Sequence, residues 1–121
     1  MSERNRALEP EDLAKLFNAC ANAADLEGLV ALYESDAVLA AGEVVAVGHD
    51  EIRAFYKDLL ARRSSFPAAE ILPSIENGDL AVTAARSPNG DLSVELARRQ
   101  ADGSWRWAID QLKIKAGPPP A

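Results

Sequence analysis

Three dipeptides that favour tight β-hairpins divide the second half of the chain. They are Asn77-Gly78, Asn89-Gly90 and Asp102-Gly103, and each lies between runs in which apolar and polar residues alternate. A two-residue reversal can join only neighbouring antiparallel strands. The second half therefore predicts a four-stranded antiparallel meander. Its strands are expected at about 68–76, 79–87, 91–101 and 104–115.

Helical periodicity dominates the first half. Apolar residues recur three and four positions apart over about residues 10–23, where Pro10 suits a first helical turn. A second, shorter helix is expected after Asp25, a favourable capping residue. A third apolar stripe follows Asp50, another expected cap, and extends to about Arg63. Three helices followed by a meander predict an α+β fold.

Length and charge narrow the classes of protein that fit. We expect a single domain at 1–116 and a flexible proline-rich tail at 117–121. The net charge of −6 disfavours a nucleic-acid partner, and the apolar runs are too short to span a membrane. The charged N-terminus and the single cysteine predict a cytoplasmic protein. With one histidine and one cysteine we expect no metal site, and no motif predicts a cofactor.

Counting outward from two-residue turns predicts which side chains share a face of the sheet. Ala84 is then opposite Glu95, and Glu95 is opposite Asp110. The face that contains this pair is expected to be half apolar and half charged. Its members are Ile71, Ile75, Leu80, Val82, Ala84, Arg86, Glu95, Arg99, Arg106 and Asp110.

The opposite face is apolar almost throughout and needs a cover of its own. Because three helices can cover only one face, we expect a homodimer that buries the other. The residues expected at this dimer interface are Val94, Leu96, Trp107 and Ile109.

Glu95 and Asp110 are the predicted catalytic residues. Two carboxyl groups placed directly opposite each other repel unless one holds a proton, and a dry site pushes their proton affinities apart. One would then act as an acid and the other as a base near neutral pH. The alternative is that both belong to a solvated charge ladder with Arg86, which is expected diagonally across from Glu95.

The order of helix, helix, apolar hairpin, helix and long meander resembles the nuclear transport factor 2-like superfamily. The segment NAADLEGLVALYESDAVLAAGEVVAVGHDEIRAFY at 22–56 and the strand begun by Asp102-Gly103-Ser104-Trp105 carry the resemblance. Members of this superfamily include ketosteroid isomerase and the SnoaL-like polyketide cyclases. The resemblance implies a cone-shaped α+β barrel in which three N-terminal helices pack inside a curved, mainly antiparallel sheet. It also implies an apolar pocket at one end and a dimer built on the outer sheet face.

The same resemblance sharpens the expected site. The oxyanion tyrosine of ketosteroid isomerase falls on Phe17, its general-base aspartate on Ala41 and its protonated aspartate on Glu95. Phenylalanine has no hydroxyl and alanine cannot take a proton, so steroid isomerisation by that mechanism is not expected. The residues expected to line the pocket are Phe17, Tyr33, Ala41, Phe55, Tyr56, Val82, Arg86 and Ala108.

Three functions fit these observations. The first is a small-molecule-binding protein whose pocket takes a compact apolar ligand with one polar group. The second is a cofactor-independent isomerase, cyclase or dehydratase that uses Glu95 and Asp110. The third is a dimeric interaction module with a vestigial pocket.

Overall fold

The structure is a computed structural model that describes residues 6–115. Within these residues, three helices and seven strands follow one another. The helices are α1 (Asp12–Asn22), α2 (Leu26–Val30) and α3 (Gly48–Arg62). The strands are β1 (Tyr33–Ala41), β2 (Val44–Val47), β3 (Glu70–Ile71), β4 (Ile75–Asn77), β5 (Leu80–Arg86), β6 (Leu92–Arg99) and β7 (Trp105–Ile114). The predicted tail at 117–121 lies outside the described residues.

The seven strands form one curved, unclosed sheet, and the helices pack against its inner face. The strand order is β2-β1-β7-β6-β5-β3, and β4 also pairs with β5. Only β1 and β7 run parallel; the other pairs are antiparallel. The predicted α+β class, with three helices against a mainly antiparallel curved sheet, is confirmed.

Local capping chemistry sets the helix ends. Asp25 caps α2 as predicted, because its side chain accepts a hydrogen bond from the N–H of Gly28 at 3.0 Å. The prediction that Asp50 caps α3 is wrong, since the helix already begins at Gly48 and Asp50 lies in its first turn. There the side chain of Glu51 accepts the N–H of Val47 at 2.8 Å instead.

The first predicted strand of the meander is divided into two short strands. Proline has no N–H to donate to a ladder, and Pro73 separates β3 from β4. The first turn reverses at Gly78 and Asp79, one residue later than predicted, so Ile75 pairs with Val82. The predicted pairing of Ile75 with Leu80 is therefore wrong by two residues, which leaves the faces unchanged.

The second turn is wider than predicted, and this changes which side chains of β5 point to each face of the sheet. Ser87 and Asp91 close a five-residue loop, in which the N–H of Ser87 donates to the carbonyl of Asp91 at 2.9 Å. Thr83, rather than Ala84, is therefore opposite Glu95. Because side chains alternate along a strand, this one-residue slip turns every side chain of β5 to the face opposite to the predicted one.

Near the third turn, the pairing of β6 with β7 departs from the predicted register twice, and the two departures cancel. Arg99 pairs with Trp105 instead of Arg106, so the predicted pairings of Ala97 and Arg99 are wrong by one residue. An extra residue in β7 then shifts the register between Leu96 and Ala97 and restores the expected count. The predicted pairing of Glu95 with Asp110 is confirmed.

The bulge in β7 also corrects the predicted dimer face. Trp107 is opposite Ala97 and only 4% exposed, so it belongs to the core. Its indole packs inward among the rings of Phe17 and Tyr33. The prediction that Trp107 lies on the outer face with Ile109 is wrong, because the extra residue between them turns the two side chains to opposite faces.

The core lies between α1, α2, α3 and the inner face of the sheet. The largest side chains that are fully buried there are Tyr33, Tyr56, Leu13, Leu29, Leu39 and Ile52. Burial of such side chains supplies the main favourable free energy of folding. Within residues 6–115 no helix is long and apolar enough to cross a bilayer.

Candidate functional site

Glu95 and Asp110 face each other on the inner side of the sheet. They are paired across β6 and β7 and are 5% and 2% exposed, respectively. Their burial rules out a solvated charge ladder. Carboxyl groups are seldom buried this deeply without partners, so the groups around them determine what the pair can do.

Two tyrosines hold one side of the pair. Tyr33, at the start of β1, donates its hydroxyl hydrogen to Oδ2 of Asp110 at 2.5 Å. Its hydroxyl oxygen also lies 2.5 Å from that of Tyr56 on α3. Since Tyr33 donates to Asp110, Tyr56 donates to Tyr33, and the three groups form one chain from helix to sheet.

Thr83 and Trp107 hold the other side. The hydroxyl of Thr83 donates to Oε1 of Glu95 at 2.5 Å, and Nε1 of Trp107 lies 3.3 Å from the same hydroxyl, to which it donates. Thr83 reaches Glu95 only because the slip of β5 turns it inward. The pair is therefore enclosed between two chains of hydrogen bonds, one from each flank.

Burial raises the proton affinity of both carboxyl groups. Desolvation, together with the nearby charge of Glu95, raises the pKa of Asp110 to about 8, although the hydrogen bond from Tyr33 opposes the rise. Desolvation also raises the pKa of Glu95, against hydrogen bonds from Ser93 and Thr83. Two adjacent buried carboxylates cannot both be charged cheaply, so the pair holds one proton at neutral pH.

One oxygen of the pair is left without a hydrogen bond. Oδ1 of Asp110 is buried and has no hydrogen-bond partner among residues 6–115. Leaving a buried polar atom unpaired costs about 1–3 kcal/mol, and such atoms need an explanation in each structure. With the proton on this oxygen, Asp110 presents a neutral acid that can donate a hydrogen bond.

An aromatic cluster surrounds the tyrosine chain. The ring of Phe17 lies 5.8 Å from that of Tyr56 and 6.4 Å from that of Trp107. Phe55 packs edge-on against Tyr56 at 5.1 Å. Phe17, Tyr33, Phe55 and Tyr56 thus all belong to the interior, as expected of pocket residues; whether they contact a ligand stays a prediction.

Beyond the carboxyl pair, the inner face of the sheet becomes less buried. Along the inner face, burial decreases from Glu95 to Ser93, from Thr83 to Ala85 and from Asp110 to Leu112. Ala85 pairs with Ser93, and Leu112 pairs with Ala41. We call Ala41, Ala85, Ser93 and Leu112 the mouth residues. Three of the four, Ala41, Ala85 and Ser93, have small side chains.

Val82, Arg86 and Ala108 lie away from this interior. The slip of β5 turns Val82 and Arg86 outward, where Val82 is 43% exposed and Arg86 lies 3.5 Å from Glu70. Their expected position beside Glu95 is therefore wrong. Ala108 lines an open cleft of about 440 Å3 on the outer face, together with Val38, Leu96 and Ile109 and with the charged Glu34, Asp36 and Arg98.

Sequence reasoning missed Thr83, Ala85 and Ser93 as members of the site. Thr83 and Ala85 follow from the wide loop at 87–91, and Ser87 and Asp91 flanking Asn89-Gly90 are the signal that could have identified it. Ser93 shares the face of Glu95 because the two residues are two positions apart on β6. No group of three metal-binding side chains lies close together in the described part of the chain.

The chain is similar to one known domain family and to several solved structures. The SnoaL-like domain family matches residues 13–117. A ketosteroid isomerase-like protein from Erwinia carotovora atroseptica is 26% identical, with a TM-score of 0.73 over 89% of this chain and 94% of that one. A search of curated proteins gave no significant match.

Two more distant structures share the fold alone. A nuclear transport factor 2-like protein from Novosphingobium aromaticivorans is 21% identical, with a TM-score of 0.67 over 90% of this chain and 81% of that one. A putative calcium/calmodulin-dependent protein kinase type II association domain from Thiobacillus denitrificans is 17% identical, with a TM-score of 0.75 over 88% and 95%.

Proposed function

The chain belongs to the SnoaL-like domain family, and from that premise we propose that it binds a compact apolar molecule at the mouth of its barrel. The polar group of the ligand accepts a hydrogen bond from Asp110. The observation that carries this proposal is the buried Oδ1 of Asp110, which lacks a hydrogen-bond partner among the described residues. A ligand oxygen would satisfy it.

The surroundings of Asp110 support a neutral ligand with one acceptor. The pKa of about 8 keeps Asp110 protonated at neutral pH, so it can donate but not neutralise a cation. An anionic ligand would be repelled by the charge of Glu95, because the two charges would lie close together in a medium of low polarity. The apolar part of the ligand would contact Phe55 and the mouth residues, which offer little besides carbon.

Cyclohexanone is a suitable probe, because it is a compact ring with a single acceptor. We expect it to shift the backbone NMR signals of the mouth residues, with a dissociation constant of about 1 mM, which is reasonable for seven heavy atoms. Methylcyclohexane, which has no acceptor, should bind about tenfold more weakly for want of one hydrogen bond. A probe concentration of 50 mM is roughly fifty times the expected dissociation constant. Shifts confined to the outer face at that concentration, or no shifts at all, would contradict the proposal and favour a vestigial pocket.

Two alanines on adjacent positions of β5 give a matched pair of variants. Ala85 lies at the mouth and Ala84 faces outward opposite Val94. Ala85→Phe should block the mouth and weaken cyclohexanone binding at least about tenfold, the loss expected when one good contact is removed. Ala84→Phe adds the same ring outside and should leave binding unchanged. Equal effects of both variants would place the binding site elsewhere.

Acid-base catalysis is a second candidate function, and the raised pKa of Asp110 favours it. In cyclohexanone, Glu95 would take a proton from the carbon next to the carbonyl while Asp110 gives its own proton to the oxygen, which forms the enol. Reversal in D2O returns a deuteron to carbon. Such paired acid and base groups contribute about 10²- to 10⁴-fold in rate.

Deuterium exchange into cyclohexanone, followed by NMR, separates binder from enzyme. If the pair is catalytic, the wild type accelerates exchange over buffer, and the acceleration falls above pH 8 as Asp110 loses its proton. Glu95→Gln should abolish the acceleration while the probe still binds. Binding without any acceleration in the wild type would leave the protein a binder.

A further inference from the structure

Glu95 and Asp110 are adjacent, but no hydrogen bond joins them. As direct partners on β6 and β7, they have Cβ atoms about 4.5–5.5 Å apart. The hydrogen bonds of Glu95 come from Ser93 and Thr83, and that of Asp110 comes from Tyr33. Oδ1 of Asp110 is buried without a partner among residues 6–115. A group that bridged the two carboxyls would therefore form bonds that the protein itself does not supply.

The pair offers one donor and one acceptor to such a group. Because two adjacent buried carboxylates repel each other, one of them holds a proton and the other keeps its charge. The protonated carboxyl can donate a hydrogen bond, and the charged one can accept. This is true whichever residue holds the proton, so it follows from the pairing of Glu95 with Asp110 and not from the order in which they titrate.

The surrounding side chains leave both functions available. Tyr33 uses Oδ2 of Asp110, which leaves Oδ1 for a ligand. Glu95 accepts from Thr83 and Ser93, whereas a carboxylate has about four lone-pair sites. No ion pair within residues 6–115 includes either carboxyl. A neutral ligand that accepts and donates at once would complete the site.

We propose that Glu95 and Asp110 together recognise the cis amide of a lactam ring. In a lactam, the carbonyl oxygen and the N–H lie on the same edge of the ring. The oxygen accepts from the protonated carboxyl while the N–H donates to the charged one. This proposal rests on the function proposed above and narrows its ligand from a compact molecule with one acceptor to a lactam.

Other ligands of similar size match the pair less well. A cyclic ketone has the acceptor but no donor, so the charged carboxyl gains nothing from it. An open-chain secondary amide has both groups, but its peptide bond is almost always trans, and its carbonyl and N–H then point in opposite directions. The cis edge of the lactam is therefore the feature that the pair would distinguish.

Three probes with the same number of heavy atoms separate these possibilities. δ-Valerolactam has the cis amide, N-ethylpropanamide has the trans amide, and cyclohexanone has the carbonyl alone. In backbone NMR titrations, δ-valerolactam should shift the mouth residues with a dissociation constant of about 0.1 mM, roughly tenfold below that of cyclohexanone, because it adds a hydrogen bond to a charged group. N-ethylpropanamide could bridge the pair only in its cis form, which would weaken its binding roughly 60-fold relative to δ-valerolactam.

Two glutamates on strands give a matched pair of variants. Glu95→Met removes the acceptor and keeps the length of the side chain. The preference for δ-valerolactam should disappear, while cyclohexanone still binds because burial keeps Asp110 protonated. Glu70→Met is the control, since Glu70 pairs with Arg86 on the outside of the sheet, and it should retain the preference. Circular dichroism verifies folding, and the three wild-type titrations decide the question if Glu95→Met does not fold.

The outcomes distinguish this proposal from the proposed function. Cyclohexanone that binds at the mouth residues as tightly as δ-valerolactam would overturn the lactam proposal and leave the proposed function intact. The lactam proposal would also be overturned by equal binding of δ-valerolactam and N-ethylpropanamide, or by a preference that survives in Glu95→Met. If no probe shifts the mouth residues at about 50 mM, roughly fifty times the dissociation constant expected for cyclohexanone, both proposals are wrong.

Discussion

Replacing Asp110 by asparagine removes a titrating group from the interior while keeping its shape. The pKa of Asp110 rises from 3.8 to about 8 on folding, so the native state holds its proton over a range in which the unfolded chain has lost it. The contribution of this proton to stability is fully present below pH 3.8 and is lost as the pH rises toward 8. At 1.36 kcal/mol for each pKa unit, the full decrease in the free energy of unfolding is roughly 6 kcal/mol.

Urea unfolding between pH 5 and 8, monitored by circular dichroism, measures this slope. Other shifted carboxyl groups, such as Asp91 and Asp102, have lowered pKa values and are ionised in both states over this window. A full proton difference moves the unfolding midpoint by about 0.5–1.4 M urea for each pH unit. The raised pKa of Glu95 contributes a decrease of the same sign.

Asp110→Asn should lose most of this slope. Its side-chain oxygen can still accept from Tyr33, and its amide can donate toward Glu95, so no new unpaired atom is expected. The variant should be several kcal/mol more stable than the wild type at pH 8, up to the roughly 6 kcal/mol worked out above. Asp102→Asn, far from the pair, should retain the wild-type slope. A wild type whose stability is flat or rises from pH 5 to 8 would refute the reasoning.

Two further substitutions test the flanks of the pair. Thr83→Val keeps the shape but leaves both Oε1 of Glu95 and Nε1 of Trp107 without a partner, so unfolding in urea should show a loss of about 1–3 kcal/mol; Thr83→Ser, which keeps the hydroxyl, should lose less. Tyr33→Phe removes the hydrogen bond to Asp110 and leaves the hydroxyl of Tyr56 without its acceptor. The free energy of unfolding should fall by a similar amount. The substitution should also raise the pKa of Asp110, because that hydrogen bond lowers it; a carboxyl signal that titrates at lower pH in this variant would contradict the assignment.

The features that depend on short stretches of sequence could be predicted. The periodicity of the three helices and the cap at Asp25 are set by neighbouring residues, and the structure contains both. The strands of the meander were predicted for the same reason, with breaks only where Pro73 lacks an N–H. The pairing of Glu95 with Asp110 was predicted too, although a wider loop and a bulge had to cancel for it to hold.

The faces of β5 could not be predicted by counting, because two loops compete at Asn89-Gly90. In the wide loop, Oδ1 of Asn89 accepts the N–H of Asp91 at 2.9 Å and the hydroxyl of Ser87 at 2.6 Å. These side-chain bonds favour a longer reversal than Asn-Gly alone predicts. The difference is one residue, yet it brings Thr83 to Glu95 and sends Arg86 to the surface.

Bulges are equally hidden from the sequence pattern. The extra residue in β7 turns Trp107 into the core, and the register of β1 against β7 also shifts between Tyr33 and Val38. Such shifts depend on packing between strands far apart in the chain. The tyrosine chain is therefore visible only in three dimensions, since Tyr33 and Asp110 are 77 residues apart.

The central claim is that Glu95 and Asp110 share one proton inside the protein at neutral pH. Titration of their side-chain carboxyl carbons by NMR tests it most directly, because each carbon reports its own protonation. We predict that Asp110 keeps its proton at pH 7 and titrates with an apparent pKa of about 8. Carboxyl carbons that both titrate near pH 4, the usual range for exposed Asp and Glu, would contradict it.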